Sequence, residues 1–200
     1  MEKDNIEQVF GKFAELNVLI LGDAMVDSYL WGKVDRISPE APIPIVTVTK
    51  QENRLGGAGN VSLNIQALGA TPILVSIIGN DEKGRIFSEL MDENHLSSEG
   101  IFVDEARMTT VKTRIISGGQ QISRVDQEIS TFIKTEFQTE VLEKIKEIID
   151  RRQIHIVIFV DYDKGLITPW LIKNIIDLAK SKNILTVADP KSRNFNNYDR

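Results

Sequence analysis

Four short apolar runs decide which folds are open to this chain of 200 residues. Val18-Leu19-Ile20-Leu21 stops at Gly22, and runs at 72–78, 154–160 and 184–188 follow, none of them alternating apolar with polar residues. A strand without alternation is buried on both faces, which is the situation of a strand inside a parallel sheet. Between the runs the spacing turns helical. Ile6, Val9, Phe10, Phe13 and Leu16 predict an opening amphipathic helix, and a second helix runs from the Gly56-Gly57-Ala58-Gly59-Asn60 loop to about Leu68, with Gly69 as its C-cap. Further helices are expected at about 81–94, at 135–152 and at 168–182; the second of these carries Phe137, Val141, Leu142, Ile145, Ile148 and Ile149 as its apolar stripe. Buried strands alternating with helices give an α/β fold with a parallel, helix-covered sheet.

Two stretches break that rhythm. Residues 29–37 and 43–49 alternate and are separated by Ser38-Pro39-Glu40-Ala41-Pro42, while 110–117 and 120–125 flank the two-glycine turn Gly118-Gly119. They are expected to form a separate small β-lid at about 29–49 and 110–125. The charge balance, 24 basic against 29 acidic residues, leaves −5 and argues against nucleic acid as a partner. With no cysteine there is no disulfide, thiolate metal site or cysteine nucleophile, and the two histidines are too few for a histidine-built metal centre. The sequence shows no apolar run approaching 18 residues and opens Met1-Glu2-Lys3-Asp4, so neither a membrane span nor a signal peptide is expected, and the chain reads as cytoplasmic.

In an open parallel sheet, ligands bind beyond the carboxyl ends of the strands. Asp23 and Asp27 follow the first buried run, Asp161, Asp163 and Lys164 the third, and Asp189 and Lys191 the fourth. Any one of these acids can be a helix cap. Their repetition at one sheet edge points to a polar cleft suited to hydroxyls, phosphates or a metal. The glycine loop reads G-x-G-x-x-S from Gly57 to Ser62, so the dinucleotide fingerprint lacks its third glycine, and the loop is separated from the strand ending at Thr49 by several residues. Asp81 stands about where that fingerprint places its acid, which keeps an NAD-binding oxidoreductase as a weaker alternative. Gly79 to Arg85 imitates a P-loop only as far as Arg85, where lysine is required. What survives is physical: small residues at a helix start let a ligand approach backbone N–H groups, and Asn60 can donate to or accept from a hydroxyl.

Lys112, Arg114 and Arg124 flank the Gly118-Gly119 turn. A two- or four-residue turn pairs Arg124 with Thr113, on the opposite face from Lys112 and Arg114; an odd-length, bulged loop sets Arg124 across from Arg114 and makes a joint anion clamp. A solvated strand face is the competing reading of these charges. His155, between isoleucines, reads as structural, His95 as a cap or surface residue, and Tyr29 and Trp31 as residues for a partner surface.

From the glycine loop onward the chain resembles a known family. Gly56-Gly57-Ala58-Gly59-Asn60-Val61-Ser62, with Gly69 and Gly79 at their spacings, is similar to the first signature of the ribokinase-like carbohydrate kinases. Gly22-Asp23-Ala24-Met25-Val26-Asp27-Ser28-Tyr29, Arg36 to Pro44, Arg54-Leu55-Gly56-Gly57, Lys112-Thr113-Arg114 and Arg124-Val125-Asp126-Gln127-Glu128 resemble the D-glycero-β-D-manno-heptose 7-phosphate kinases in particular. Asp161-Tyr162-Asp163-Lys164-Gly165 and Asp189-Pro190-Lys191 continue the likeness.

The resemblance implies a ribokinase-like, doubly wound, mostly parallel sheet with a β-lid that serves as a homodimer interface. It implies transfer of the γ-phosphoryl of ATP, with Mg2+, to the anomeric hydroxyl of heptose 7-phosphate, on the route to ADP-heptose and lipopolysaccharide. By position, Asp27, Gly56, Gly57 and Asn60 would hold sugar hydroxyls. Lys112, Arg114 and Arg124 would face the sugar phosphate or the lid, and Asp161, Lys164, Asp189 and Lys191 would lie towards the phosphate-transfer zone. The family's Gly-Ala-Gly-Asp turn, which carries the catalytic base, does not occur in this sequence, and Asp163 stands where a glycine is common. The base is therefore expected beyond Arg200, and none of the residues 1–200 is assigned that role. On this expectation residues 1–200 form the N-terminal portion of one sugar kinase domain, with an apolar sheet edge laid bare. A catalytically inactive sugar-phosphate-binding or dimerisation module is the alternative.

Overall fold

A computed structural model describes residues 3–198. Arg200, past which the catalytic base is expected, lies outside the described residues, as do Met1 and Glu2. Strand β1 (Asn17–Gly22) lies between β4 (Thr71–Gly79) and β8 (Ile156–Val160), with β5 (Gly100–Asp104) beyond β4 and β9 (Leu185–Asp189) beyond β8. Every pairing in this sheet is parallel. The apolar runs explain the placement. Val18 and Ile20 face one layer, Leu19 and Leu21 the other, and all four are buried. One layer holds α4 (Thr135–Arg151) and α5 (Pro169–Ser181), whose Val141, Ile145, Ile148, Leu171, Ile172 and Ile175 pack with Leu19, Leu21, Val157 and Phe159. The other holds α2 (Ala58–Ala67) and α3 (Glu82–Glu93), where Ala58, Phe87 and Met91 pack with Val18, Ile20, Leu74 and Ile78. From β1 the chain winds outward to β4 and β5, then returns to β8 and winds the other way to β9. The crevice between β1 and β8 is therefore the topological switch point, where such sheets bind ligands.

Helix ends follow local chemistry. The Thr168 hydroxyl accepts from Leu171 N at 3.2 Å, just before Pro169, and the Asp81 carboxylate accepts from Gly84 N at 2.7 Å. Asp81 is thus a cap rather than the acid of a dinucleotide fingerprint. Gly69, at φ +96°, follows α2 as the left-handed residue its C-cap role required. The opening helix is α1 (Lys3–Phe13), although Val9 and Phe10 stay exposed.

The lid is a four-stranded sheet in the order β3-β2-β6-β7, formed by β2 (Ala24–Ile37), β3 (Pro44–Gly57), β6 (Val111–Ser117) and β7 (Gln120–Gln127). Its first pair of strands is longer than the expected 29–49. The polar run from Lys50 to Arg54 continues β3, because each residue on that face meets a partner across the pair. Lys50 lies over the Trp31 ring at 4.6 Å and Arg54 over the Tyr29 ring at 4.9 Å, and Glu52 bridges the two cations. One expectation is corrected here: no linker separates the glycine loop from a strand, since β3 ends at Gly57 and α2 begins at Ala58. That strand belongs to the antiparallel lid, so the βαβ setting of a dinucleotide site is still absent.

The β6–β7 hairpin settles the open register. Ser117 pairs with Gln120 across the glycine turn, then a bulge shifts the pairing so that Ile115 meets Ser123 and Arg114 meets Arg124. The turn has two residues, yet the bulge puts both arginines on one face. Strand β5, Gly100-Ile101-Phe102-Val103-Asp104, was not among the expected elements. It is five residues long and enters the edge where Gly100 lets the chain lie against the backbone of Leu74.

Candidate functional site

A cavity of about 430 Å³ opens at the switch point, between the lid and the ends of the parallel strands. Its walls come from three places in the chain. Met25 and Asp27 on β2, with Gly57 and Asn60 at the start of α2, form one side. Lys112, Arg114 and Arg124 descend from the lid, and Tyr162, Lys164 and Lys191 rise from the loops after β8 and β9. Eight of the eleven residues singled out from the sequence thus line a single cavity.

Close approach explains the glycines. Gly57 has φ +55°, and a side chain there would strike the carbonyl of Asp23 and the Met25 side chain. A Cβ at Gly56 would lie 2.6 Å from Asp27 Oδ2, so glycine lets that carboxylate rest against the backbone beside the cavity. Helix α2 has no side-chain cap, and its first turn is presented to the cavity by Gly57 and Asn60.

The cations are organised by carboxylates. Asp27 Oδ1 accepts from Arg114 at 2.5 Å, which keeps the guanidinium firmly charged. Asp126 is 3.3 Å from Lys112 and 2.9 Å from Arg124. Desolvation alone would raise the Asp126 carboxyl, but hydrogen bonds and charge from Lys112 and Arg124 hold it below the usual carboxylate range. Glu128 Oε2 lies 2.9 Å from Lys164 Nζ and 3.8 Å from Lys112 Nζ. Lys191 makes no ion pair among the described residues, its Nζ lying 5.2 Å from the centre of the Tyr162 ring.

Asp161 and Asp189 do not line the cavity. Asp161 is 1% exposed, and its carboxylate accepts from Asn194 Nδ2 at 2.9 Å, Tyr198 OH at 3.2 Å and its own loop at Asp163 N. It lies behind the wall and ties the segment after β9, which carries Lys191, onto the end of β8. Asp189 is exposed at the end of β9, where its carbonyl accepts from Asp161 N. Asp23, 2% exposed, plays the matching role one strand over: it accepts from the backbone N–H groups of Tyr162 (2.8 Å), Lys164 (3.1 Å) and Leu166 (3.4 Å). Burial pushes the Asp23 carboxyl up to about 6, against the pull of those N–H groups, with the nearby Asp161 adding to the rise. The 162–166 turn is strained towards glycine conformations. Asp163 has φ +58°, in the left-handed region that favours glycine.

Several participants carried no motif. Tyr162 and Met25 entered the cavity as neighbours of charged positions, and Asp126 and Glu128 stand as counter-ions rather than as ligand groups. Arg107, on the loop between β5 and β6, donates to the carbonyls of Lys164 at 2.8 Å and Thr131 at 2.9 Å and so clamps the same turn from below. Only spatial neighbourhood reveals it. His155 Nδ1 accepts from Asn17 N at 3.0 Å, a structural bond, and His95 is an exposed residue after α3 with φ +56°. Among the described residues no group of three or more His, Asp or Glu side chains is placed to hold a metal ion, and no helix is long and apolar enough to cross a membrane.

Comparison with known proteins agrees with this geometry. Residues 15–194 match the model of the pfkB family carbohydrate kinases. The chain belongs to that family. Similar curated relatives of this pfkB-family chain include the bifunctional protein HldE of Geobacter metallireducens, 37% identical over 99% of the chain, and that of Helicobacter hepaticus, 40% identical over 90%. The chain spans only 40% and 37% of the length of those two relatives. Among solved structures, phosphofructokinase-2 of Escherichia coli superposes with a TM-score of 0.66 at 15% identity, over 92% of this chain and 57% of that one, a likeness of fold alone.

Proposed function

We propose that this pfkB-family chain forms the sugar-binding side of a kinase that phosphorylates D-glycero-β-D-manno-heptose 7-phosphate at its anomeric hydroxyl. The convergence of Lys112, Arg114, Arg124, Lys164 and Lys191 on a cavity that also holds Asp27, Asn60 and a glycine-lined helix start carries this reading. In the reaction the bond from the γ-phosphorus of MgATP to ADP breaks, a bond to the sugar O1 forms, and the hydroxyl proton departs. The product is the 1,7-bisphosphate. MgATP is a co-substrate here, and no residue of this chain up to Arg200 is assigned as the base. Residues 1–200 are read as the N-terminal portion of one kinase domain, in line with their coverage of the HldE relatives.

Each residue has a role that its position supports. Asp27 and Asn60 accept from and donate to sugar hydroxyls, Gly57 leaves the α2 N-terminus open to the ring, and Gly56 lets the Asp27 carboxylate rest against the backbone beside it. Lys112, Arg114 and Arg124 meet the 7-phosphate from the lid. Lys164 and Lys191 neutralise charge where the phosphoryl group moves, which is most of what phosphoryl transfer asks of a protein. Asp161 holds the Lys191 segment in place, and Asp189 stands exposed at the end of β9, outside the cavity lining. Val34, Val48 and Val125 are exposed on lid strands, which supports a homodimer closed through the lid. On this reading the enzyme works in the cytoplasm on the route to ADP-heptose and lipopolysaccharide.

The test is phosphorus NMR of the full-length polypeptide incubated with MgATP and heptose 7-phosphate. An anomeric phosphate resonance appearing with ADP supports the proposal, and no turnover on any sugar phosphate ends it. Binding without turnover assigns the sugar-phosphate-binding module instead.

A further inference from the structure

We propose that Arg107 and Asp23 are positioning residues: they grip the 162–166 turn by its carbonyl and its N–H groups and so set Lys164 against the cations of the lid. The inference rests on the kinase reading above and adds two residues that do not line the cavity. The turn has no regular structure to hold it, and Asp163 at φ +58° and Gly165 at φ +88° are both left-handed. Its N–H groups go to buried acids instead. Tyr162, Lys164 and Leu166 donate to the Asp23 carboxylate, and Asp163 donates to Asp161. On the carbonyl side, Arg107 Nη1 donates to Lys164 O at 2.8 Å. Lys164 is thus fixed at its own N–H and its own carbonyl by groups set behind the cavity wall.

The location of Arg107 gives this grip its reach. Residues 105–110 lead into β6, which carries Lys112 and Arg114, and Thr131 lies on the segment that leaves β7, which carries Arg124. Arg107 Nη2 donates to Thr131 O at 2.9 Å, so one guanidinium joins both crossings between lid and core to the turn that carries Lys164. A planar fork can span two carbonyls in this way, and an ammonium cannot. The Arg107 side chain is only 8% exposed, and its ion pair with Asp104 is long, at 3.9 Å. Its hydrogen bonds are therefore spent on the two carbonyls. Gly165 closes the same seam, since a Cβ there would strike the Thr131 carbonyl, and Ile133 N donates to Gly165 O at 3.0 Å. Asp23 extends the frame to the sugar side, because its own carbonyl accepts from Ala58 N at 3.0 Å at the start of α2. Lys164, the lid crossings and the glycine loop share one hydrogen-bonded frame.

Steady-state kinetics of the full-length polypeptide with MgATP and heptose 7-phosphate test this, with Arg107→Lys made alone and together with Lys164→Ala. Arg107→Lys keeps the charge but loses the fork. It is expected to lower kcat about tenfold and leave KM for heptose 7-phosphate unchanged, because Lys164 is assigned to the moving phosphoryl group. In the Lys164→Ala background the same substitution is expected to cost nothing further. A second readout needs no substrate. Lys164 is 14% exposed and lies 2.9 Å from Glu128, so its amine is shielded. Its acetylation by acetic anhydride, followed by mass spectrometry, should rise severalfold in Arg107→Lys relative to the exposed Lys173. Asp23→Asn leaves one neutral oxygen for three N–H groups; it should act the same way and serves if Arg107→Lys folds poorly. An unchanged kcat, an equal proportional loss in both backgrounds, or unchanged Lys164 reactivity overturns the proposal and leaves the kinase reading in place. No turnover by the native polypeptide ends the kinase reading, and Lys164 reactivity then decides the grip alone: a rise upholds it and no change overturns it.

Discussion

Replacing Asp23 by asparagine is expected to change how stability depends on pH, more than stability itself. Asp23 is buried at the end of β1 and titrates near 6 in the folded chain, against 3.8 for an ordinary aspartate. The folded state therefore holds this proton more tightly than the unfolded state. Its contribution is fully present below pH 3.8 and is lost as the pH rises through about 6. Across the whole window the difference is about 3 kcal/mol, and between pH 7 and pH 5 it is about 1 kcal/mol in favour of the acid side. The asparagine side chain would keep an oxygen for the N–H groups of the 162–166 turn and lose the proton. Urea unfolding followed by the fluorescence of Trp31 and Trp170 at pH 5, 6 and 7 measures both proteins. The native chain should lose about 1 kcal/mol relative to Asp23→Asn on going from pH 5 to pH 7, or about 2–4 °C in melting temperature. The comparison cancels the titrating groups remote from Asp23. Parallel curves for the two proteins, or a native chain that gains on the variant as the pH rises, would refute the buried-acid account.

Other consequences follow from single contacts. Gly57→Ala should lower stability by about 1–3 kcal/mol, because the position is left-handed and a Cβ there strikes the Asp23 carbonyl; an unshifted thermal melt counts against the described turn. Lys191→Ala should weaken sugar-phosphate binding about tenfold by calorimetry while leaving the melting temperature within a degree or so, since Lys191 joins no ion pair among the described residues. Leu185 and Val187 are exposed on β9, at 60% and 48%, so Val187→Lys should reduce light scattering on concentration; equal aggregation would show that this edge is not the cause.

Where burial alone decides, the sequence was legible. The unbroken apolar runs located the three central strands of the parallel sheet, and the acids after β1 and β8 marked the edge where the cavity opens. Helix α5 was readable from Thr168 and Pro169, since capping is local chemistry. The polar half of β3 was not, because Lys50, Glu52 and Arg54 are held in a strand by Trp31 and Tyr29 across the sheet, and single-chain patterning cannot express a cross-strand partner. The placement of Arg124 was undecidable for a similar reason: a one-residue bulge flips a face, and nothing near Ile122 announces it. Asp161 shows the limit for the site. Its spacing is that of a cleft residue, yet Asn194 and Tyr198, more than thirty positions away, turn its carboxylate into a brace. Arg107 acts on backbone carbonyls and left no trace in the sequence.

The claim that the lid and the strand ends together make a sugar-phosphate site is tested most directly by titrating heptose 7-phosphate, and then unphosphorylated heptose, into the chain under identical conditions. One saturable site for the phosphate ester, weakened about tenfold in Lys191→Ala and much weaker for the free sugar, is the predicted result. No detectable binding, or equal binding of the phosphorylated and free sugars, would contradict it.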